Sequence, residues 1–264
     1  MVSIPFRRRG KDGPANEVAT PDIPGPASGA AFANCSRVIE ADPLHLEHER
    51  ILPPRAAGRY GNAYKMLRTQ VLRRLDKIGA NSLAILGNEP GTGKTLTAIN
   101  LAIATAADPD RSALLVDLDL RKPSIHHRFG IKPLIGIEDC LRDEQPLAEA
   151  MVRIGGYDRL AIVPARGRCD DSSELLAARR TQEIIREMRQ RYKERILIFD
   201  LPPVLQADDA LAFSRHVEAA LLVVGDGRTQ RQDLLRTLDL LHDLPIVGTV
   251  LNRTREALDT HHYY

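Results

Sequence analysis

The chain has 264 residues, a formal net charge of +2, no Trp and three cysteines. That length holds one α/β domain with tails, and the near-balanced charge gives no reason to expect nucleic acid or an anionic surface as a partner. Cys35, Cys140 and Cys169 are scattered with no Cys-x-x-Cys pair, which argues against a zinc site and suits a reducing compartment.

Residues 1–45 are rich in Pro, Gly, Ala and Ser, and Pro14, Pro21, Pro24 and Pro26 forbid a long helix. A flexible tail is expected, with Arg7, Arg8 and Arg9 read as solvated. The start, "MVSIPFRRRGKDG", lacks the apolar stretch of a secretion signal. No run anywhere reaches the ~18 apolar residues that a spanning helix needs. From Tyr60 to Ile78 the positions Ala63, Met66, Leu67, Val71, Leu75 and Ile78 recur at helical spacing.

Strand and helix signals then alternate. "LAILG", "ALLVDLDL", "LAIVPARG", "ILIFD", "AALLVVG" and "PIVGTVLN" read as strands. Helices are expected over 95–107, around "IEDCLRDEQPLAEAM", over "SELLAARRTQEIIREMRQRY" with an Asp171–Glu174 capping box, and over "QRQDLLRTLDLL" with Thr229 and Gln232 as its cap. Near-continuous apolar strands separated by helices predict a mainly parallel sheet with helices on both faces. The expected division is a tail over 1–45, one domain over 46–254 and a mobile C-terminal tail over 255–264.

"GNEPGTGKTLTAIN", residues 87–100, follows an apolar strand and opens a helix, the setting in which a phosphate-binding loop (P-loop) is believed. Gly91 and Gly93 let successive N–H groups converge on an anion, and the helix beginning near Lys94 adds its N-terminal dipole. Lys94 can reach the β- and γ-phosphates, and Thr95 can offer its hydroxyl to Mg²⁺. Pro90 stiffens the entry. Asn88 stands where the usual G-x-x-x-x-G-K-[ST] pattern has glycine, and is expected to be tolerated because Asn accepts left-handed backbone better than most residues. The expected nucleotide-binding residues are Asn88, Glu89, Pro90, Gly91, Thr92, Gly93, Lys94, Thr95 and Leu96.

Asp117 and Asp119 end one strand and Asp200 ends another. Ligands of open α/β sheets sit outside the carboxyl ends of the strands, so these acids should converge with the loop. Mg²⁺ takes one or two carboxylates and keeps several waters, which leaves an aspartate to accept a proton. The pairs His126–His127 and His261–His262 are poor chelators because adjacent side chains point apart; the first is read as surface and the second as tail.

From about Tyr60 to Thr254 these motifs resemble the bacterial tyrosine autokinases of capsule and exopolysaccharide assembly, cousins of the MinD/ParA-type ATPases. "NEPGTGKT" is similar to the family's S-x-x-P-G-x-G-K-[ST] loop apart from Asn88, so the missing first glycine is a family habit. Asp117, Asp119, Arg121 and Pro123 resemble its D-x-D-x-R…P, Asp200 to Pro203 its D-T-P-P, and Asp209–Ala210 its downstream D-A. "SELL" at 173–176 and "VLN" at 250–252 also look like the family, the latter placing Asn252 among the nucleotide-binding residues. Partition and division ATPases carry an extra lysine where this chain has Glu89, an anion that repels phosphate. Leu201 replaces a threonine. The family's E-A-Y-R-x-L-R-T-N helix, which helps build a ring of subunits, reads Asn62 to Gln70 here, with the acid lost and Lys65 in place of an arginine that would grip carboxylates bidentately.

The resemblance implies a Mg–ATP-dependent protein-tyrosine autokinase, cytoplasmic and recruited to the inner face of the plasma membrane, that regulates polysaccharide polymerisation or export. It implies a homo-oligomer with no nucleic-acid partner. With no spanning helix, the membrane-anchored co-polymerase that activates it is expected to be a separate polypeptide, so membrane contact is indirect. Tyr263 and Tyr264 are the expected phosphoacceptors, with Tyr60 and Tyr64 as alternatives, although helical packing explains Tyr64 better. The expected catalytic set is Lys94, Asp117, Asp119 and Arg121, with Asp117 favoured as base and Thr95, Asp119 and Asp200 near the metal. The sequence does not separate the roles of the aspartates. Two other readings stay open, a regulatory ATPase without kinase activity and a nucleotide-sensing scaffold.

Overall fold

A computed structural model describes residues 37–142, 144–191 and 194–254. The chain runs β1 (Arg37–Ile39), α1 (Pro43–His48), α2 (Gly58–Ile78), β2 (Ser82–Leu86), α3 (Lys94–Ala106), β3 (Ser112–Asp117), α4 (Ile125–Arg128), α5 (Ile137–Leu141), α6 (Leu147–Ala150), β4 (Val152–Ile154), β5 (Leu160–Val163), α7 (Ser172–Ala177), α8 (Arg179–Arg191), β6 (Arg195–Asp200), α9 (Asp209–Ser214), β7 (Ala219–Gly225), α10 (Arg231–Leu240) and β8 (Ile246–Asn252). The strands form one sheet in the order β1-β4-β5-β3-β6-β2-β7-β8. Every pairing is parallel except β4–β5. The mainly parallel architecture expected from the alternating pattern is therefore present.

Period-two alternation in the central strands feeds two cores, one on each face of the sheet. Leu83, Ile85, Leu115 and Ile198 pack with Leu75, Ala98 and Leu101 of α2 and α3. Ala84, Leu86, Leu114, Val116 and Phe199 pack with Ile137, Leu176, Ile184 and Phe213 of α5, α7, α8 and α9. Both faces are covered, which is why these strands read as unbroken apolar runs.

Three expectations need correcting. The boundary at residue 45 falls inside α1, because Asp42 caps that helix through a 3.0 Å bond from Leu44 N and Pro43 opens it, while β1 already pairs with β4. The long helix after Asp171 is two helices, broken at Ala178, whose ψ of 152° is extended; the Thr181 hydroxyl satisfies the Leu175 carbonyl at 2.7 Å. Neither expected cap forms there or before α10. Asp171 instead binds Arg142 at 2.7 Å, and Thr229 turns toward the loop after β2, leaving Gln230 as the N-cap residue.

Candidate nucleotide site

The loop after β2 begins at Gly87 and ends where α3 starts at Lys94. Gly91 and Gly93 have φ of +74° and +94°, the left-handed region that side chains avoid and that turns the amides inward. Gly87, the glycine one place early, is needed for a different reason. A Cβ there would sit 2.8 Å from Thr92 Oγ1 and 3.0 Å from the Lys94 stem, so its absence lets Lys94 lie across the loop.

Asn88 does not take left-handed backbone, since the only non-glycine residues with positive φ among those described are Arg50 and Arg253. It is instead a buried tie. Its carbonyl accepts from Leu205 N at 3.3 Å, and its side-chain oxygen accepts from the Thr229 hydroxyl at 3.2 Å. Asn252, at the end of β8, donates to the Thr92 carbonyl at 2.8 Å and braces the loop from the far side. A Cβ on Gly93 would lie 2.1 Å from that amide nitrogen, so the brace requires glycine. Pro90 is exposed, while Thr95 and Leu96 are half-buried in the first turn of α3.

Lys94 is buried, and its ammonium donates to the Glu89 carbonyl at 3.4 Å. Burial lowers its pKa, opposed by the charges of Asp200, Asp119 and Glu89. The opposition places the three carboxylates in the field of that lysine.

Asp117 and Asp200 are register partners on β3 and β6, both with no solvent exposure. Asp117 Oδ2 accepts from Ser124 N at 3.1 Å and Ile125 N at 3.0 Å, while Oδ1 has no partner. Neither Asp200 oxygen has a hydrogen bond of ordinary geometry, although the Thr95 hydroxyl lies near enough to favour the ionised form. Burial raises both pKa values, and each aspartate also feels a neighbouring one: Asp117 feels Asp200, while Asp200, pushed up to about 7, feels Asp119. Asp119 is half-buried, accepts from Lys122 N at 3.1 Å and is raised by burial. Two sealed carboxylates with spare oxygens invite a cation. Among the described residues, no three His, Cys, Asp or Glu side chains are close enough to hold a metal by themselves. Mg²⁺ fits such a sparse donor set, because it relies on one or two carboxylates, a hydroxyl such as that of Thr95, waters and the phosphates.

Arg121 is tied to the acids at the start of α9. Its Nε donates to Asp209 Oδ2 at 2.8 Å, and its guanidinium lies 3.6 Å from Asp208. That pairing, chiefly the hydrogen bond to Asp209, raises its pKa. The D-A pair Asp209–Ala210 thus anchors the arginine of the D-x-D-x-R segment. Tyr64 is half-buried with its hydroxyl pKa raised by burial, which agrees with a packing role, whereas Tyr60 is 77% exposed. Tyr263, Tyr264 and the second histidine pair lie outside the described residues. Of the first histidine pair, His126 is buried rather than on the surface, whereas His127 is exposed as expected. A shallow cavity of about 350 Å³ lined by His126, His127, Gly130, Ile131, Lys132 and Pro133 contains none of the loop residues.

A buried lysine, a glycine-bent amide loop opening a helix and acids at the ends of two adjacent parallel strands define a P-loop nucleotide-binding protein. Residues 83–263 match the family described as the CobQ/CobB/MinD/ParA nucleotide binding domain, and the chain belongs to that family. It is 27% identical over 191 residues to the tyrosine-protein kinase YwqD of Bacillus subtilis (strain 168), spanning 72% of this chain and 79% of that one. It is 33% identical over 180 residues to the succinoglycan biosynthesis transport protein ExoP of Rhizobium meliloti (strain 1021), covering 65% of this chain but 22% of that one. Among solved structures, the kinase domain of the Escherichia coli tyrosine kinase ETK superposes with a TM-score of 0.66 at 27% identity, over 75% of this chain and 78% of that one. No helix of the described residues is long and apolar enough to cross a membrane.

Proposed function

We propose that the protein is a Mg–ATP-dependent protein-tyrosine autokinase that regulates exopolysaccharide or capsule polymerisation and export, working with a separate membrane-anchored co-polymerase as activator and as a homo-oligomer at the inner face of the plasma membrane. The observation that carries this reading is the set of acids Asp117, Asp119 and Asp200 beside Lys94 and the P-loop, with carboxylate oxygens left unsatisfied in the interior. The kinase names of YwqD and ETK support the choice of reaction, and ExoP supports the polysaccharide context.

In the proposed reaction an acceptor tyrosine oxygen forms a bond to the γ-phosphorus, the bond from γ-phosphorus to the bridging oxygen breaks, and ADP leaves. The loop amides from Gly91 to Thr95 and the Lys94 ammonium hold the phosphates in line. Asp119, Asp200 and the Thr95 hydroxyl would hold magnesium, which when bound would neutralise charge on the phosphoryl oxygens. Asp117, in its ionised form, would take the phenolic proton on its free Oδ1; burial and the neighbouring Asp200 raise its pKa, so it holds that proton more tightly than an ordinary carboxylate. Asp117 has no solvent exposure and is capped by Ser124 N and Ile125 N, so admitting the hydroxyl requires a local opening around it.

Incubation with ATP, Mg²⁺ and the cytoplasmic segment of the activator, followed by intact mass and peptide mapping, is expected to show a phosphate on Tyr263 or Tyr264 that Asp117→Asn abolishes while ATP still binds. Phosphate release without any protein label, unchanged when both tyrosines are replaced by Phe, would favour a regulatory ATPase instead.

A further inference from the structure

The turn after β7 is not idle. Gly227 has φ of +65°, and both Arg228 N and Thr229 N donate back to the Gly225 carbonyl, at 3.2 and 3.0 Å. The Thr229 hydroxyl accepts from Gly225 N at 3.1 Å and shares its proton between Asn88 Oδ1 at 3.2 Å and Glu89 Oε1 at 3.3 Å. This tight turn is therefore lashed to the mouth of the P-loop. Arg228 sits beside that lashing. Its Nη1 would lie 3.6 Å from a Cβ on Gly91 and is the only heavy atom that such a Cβ would meet within 4 Å. The side chain is exposed and makes no ion pair within 4.0 Å among the described residues, not even with neighbouring Glu89.

The charge balance of the loop gives this arginine a purpose. Lys94 is surrounded by Asp200, Asp119 and Glu89, and Glu89 puts an anion at the loop's mouth, where it repels phosphate. A triphosphate seated there needs more positive charge than the buried lysine supplies. A guanidinium offers it in a planar fork suited to two phosphate oxygens at once. We propose that Arg228 is a nucleotide-binding residue whose guanidinium, held over Gly91 by the Thr229 tether, grips the phosphate chain of the nucleotide. The assignment rests on the nucleotide-binding reading of the loop.

Calorimetry on the full chain tests it, comparing wild type, Arg228→Ala and Arg228→Lys against Mg–ATP and against Mg–tripolyphosphate, which has no base. Arg228→Ala is expected to bind both ligands about tenfold more weakly, with Arg228→Lys in between and an unchanged unfolding temperature without ligand. If Arg228→Ala melts early, Arg228→Gln, which keeps the stem without the charge, carries the same comparison. Unchanged affinity for both ligands overturns the proposal. So does a loss confined to ATP, which would put the guanidinium on the base. Failure of wild type to bind Mg–ATP would sink the nucleotide reading itself, whereas binding that is indifferent to Arg228 sinks only this assignment.

Discussion

The two ends of the sheet treat buried polar groups in opposite ways. At the start of β2, Ser82 is fully buried and fully answered. Glu218 Oε2 accepts from Asn81 N at 3.0 Å, Ser82 N at 3.3 Å and the Ser82 hydroxyl at 3.0 Å; Glu218 N returns a bond to that hydroxyl at 3.0 Å, and Arg189 pairs with the other carboxylate oxygen. At the other end, Asp117 and Asp200 are just as deeply buried and keep three oxygens without a partner. An unsatisfied buried polar group costs about 1–3 kcal/mol or more. One sheet therefore carries a Ser82–Glu218 network that stabilises the fold and an open end that leaves room for a cation and phosphates.

Replacing one carboxylate at each end should separate the two roles. Asp200→Asn removes a charge from the open end. It is expected to weaken Mg–ATP binding by calorimetry at least about tenfold while leaving the ligand-free protein no less stable, because a like-charge clash disappears with the carboxylate. Glu218→Gln at the closed end should do the reverse, lowering stability in denaturant unfolding by about 1–3 kcal/mol with nucleotide affinity unchanged.

A smaller effect should follow pH. Asp200, raised to about 7, and Asp117, also raised by burial, hold protons when folded that they release when unfolded. Their contribution to stability is complete below about pH 4 and is lost as pH climbs through 7. Without magnesium, the unfolding temperature should fall by roughly 3 °C or more between pH 5 and 8. With Mg–ADP the slope should flatten, because the cation competes with those protons. Asp171 and Asp208, held down by Arg142 and Ser173, oppose this trend only near or below about pH 4. An identical slope with and without Mg–ADP would mean that no cation reaches the acids.

The sheet's core was legible in the residues because β2, β3, β6 and β7 have unbroken apolar middles bounded by polar positions, so burial on both faces left its mark along each strand. The loop and its acids were legible because Gly91, Gly93 and Lys94 follow one strand end and Asp117 and Asp200 close two others. β1 and β4 went unread because three residues cannot display a period; pairing between distant segments makes them strands. The break at Ala178 was hidden because alanine favours a helix and tertiary packing overrides it. The role of Asn88 was misread because its environment comes from Thr229 and Leu205, far along the chain. Arg228 and Thr229 lie in the turn after β7, a parallel strand, at the end of the sheet where ligands bind.

Titration of ATP into the full chain by calorimetry, with magnesium and then with the metal chelated, reads the open end most directly. Saturable binding that weakens at least about tenfold without magnesium, and that Lys94→Met abolishes, is the predicted result. Binding indifferent to both magnesium and Lys94, or no binding by folded protein, would contradict it.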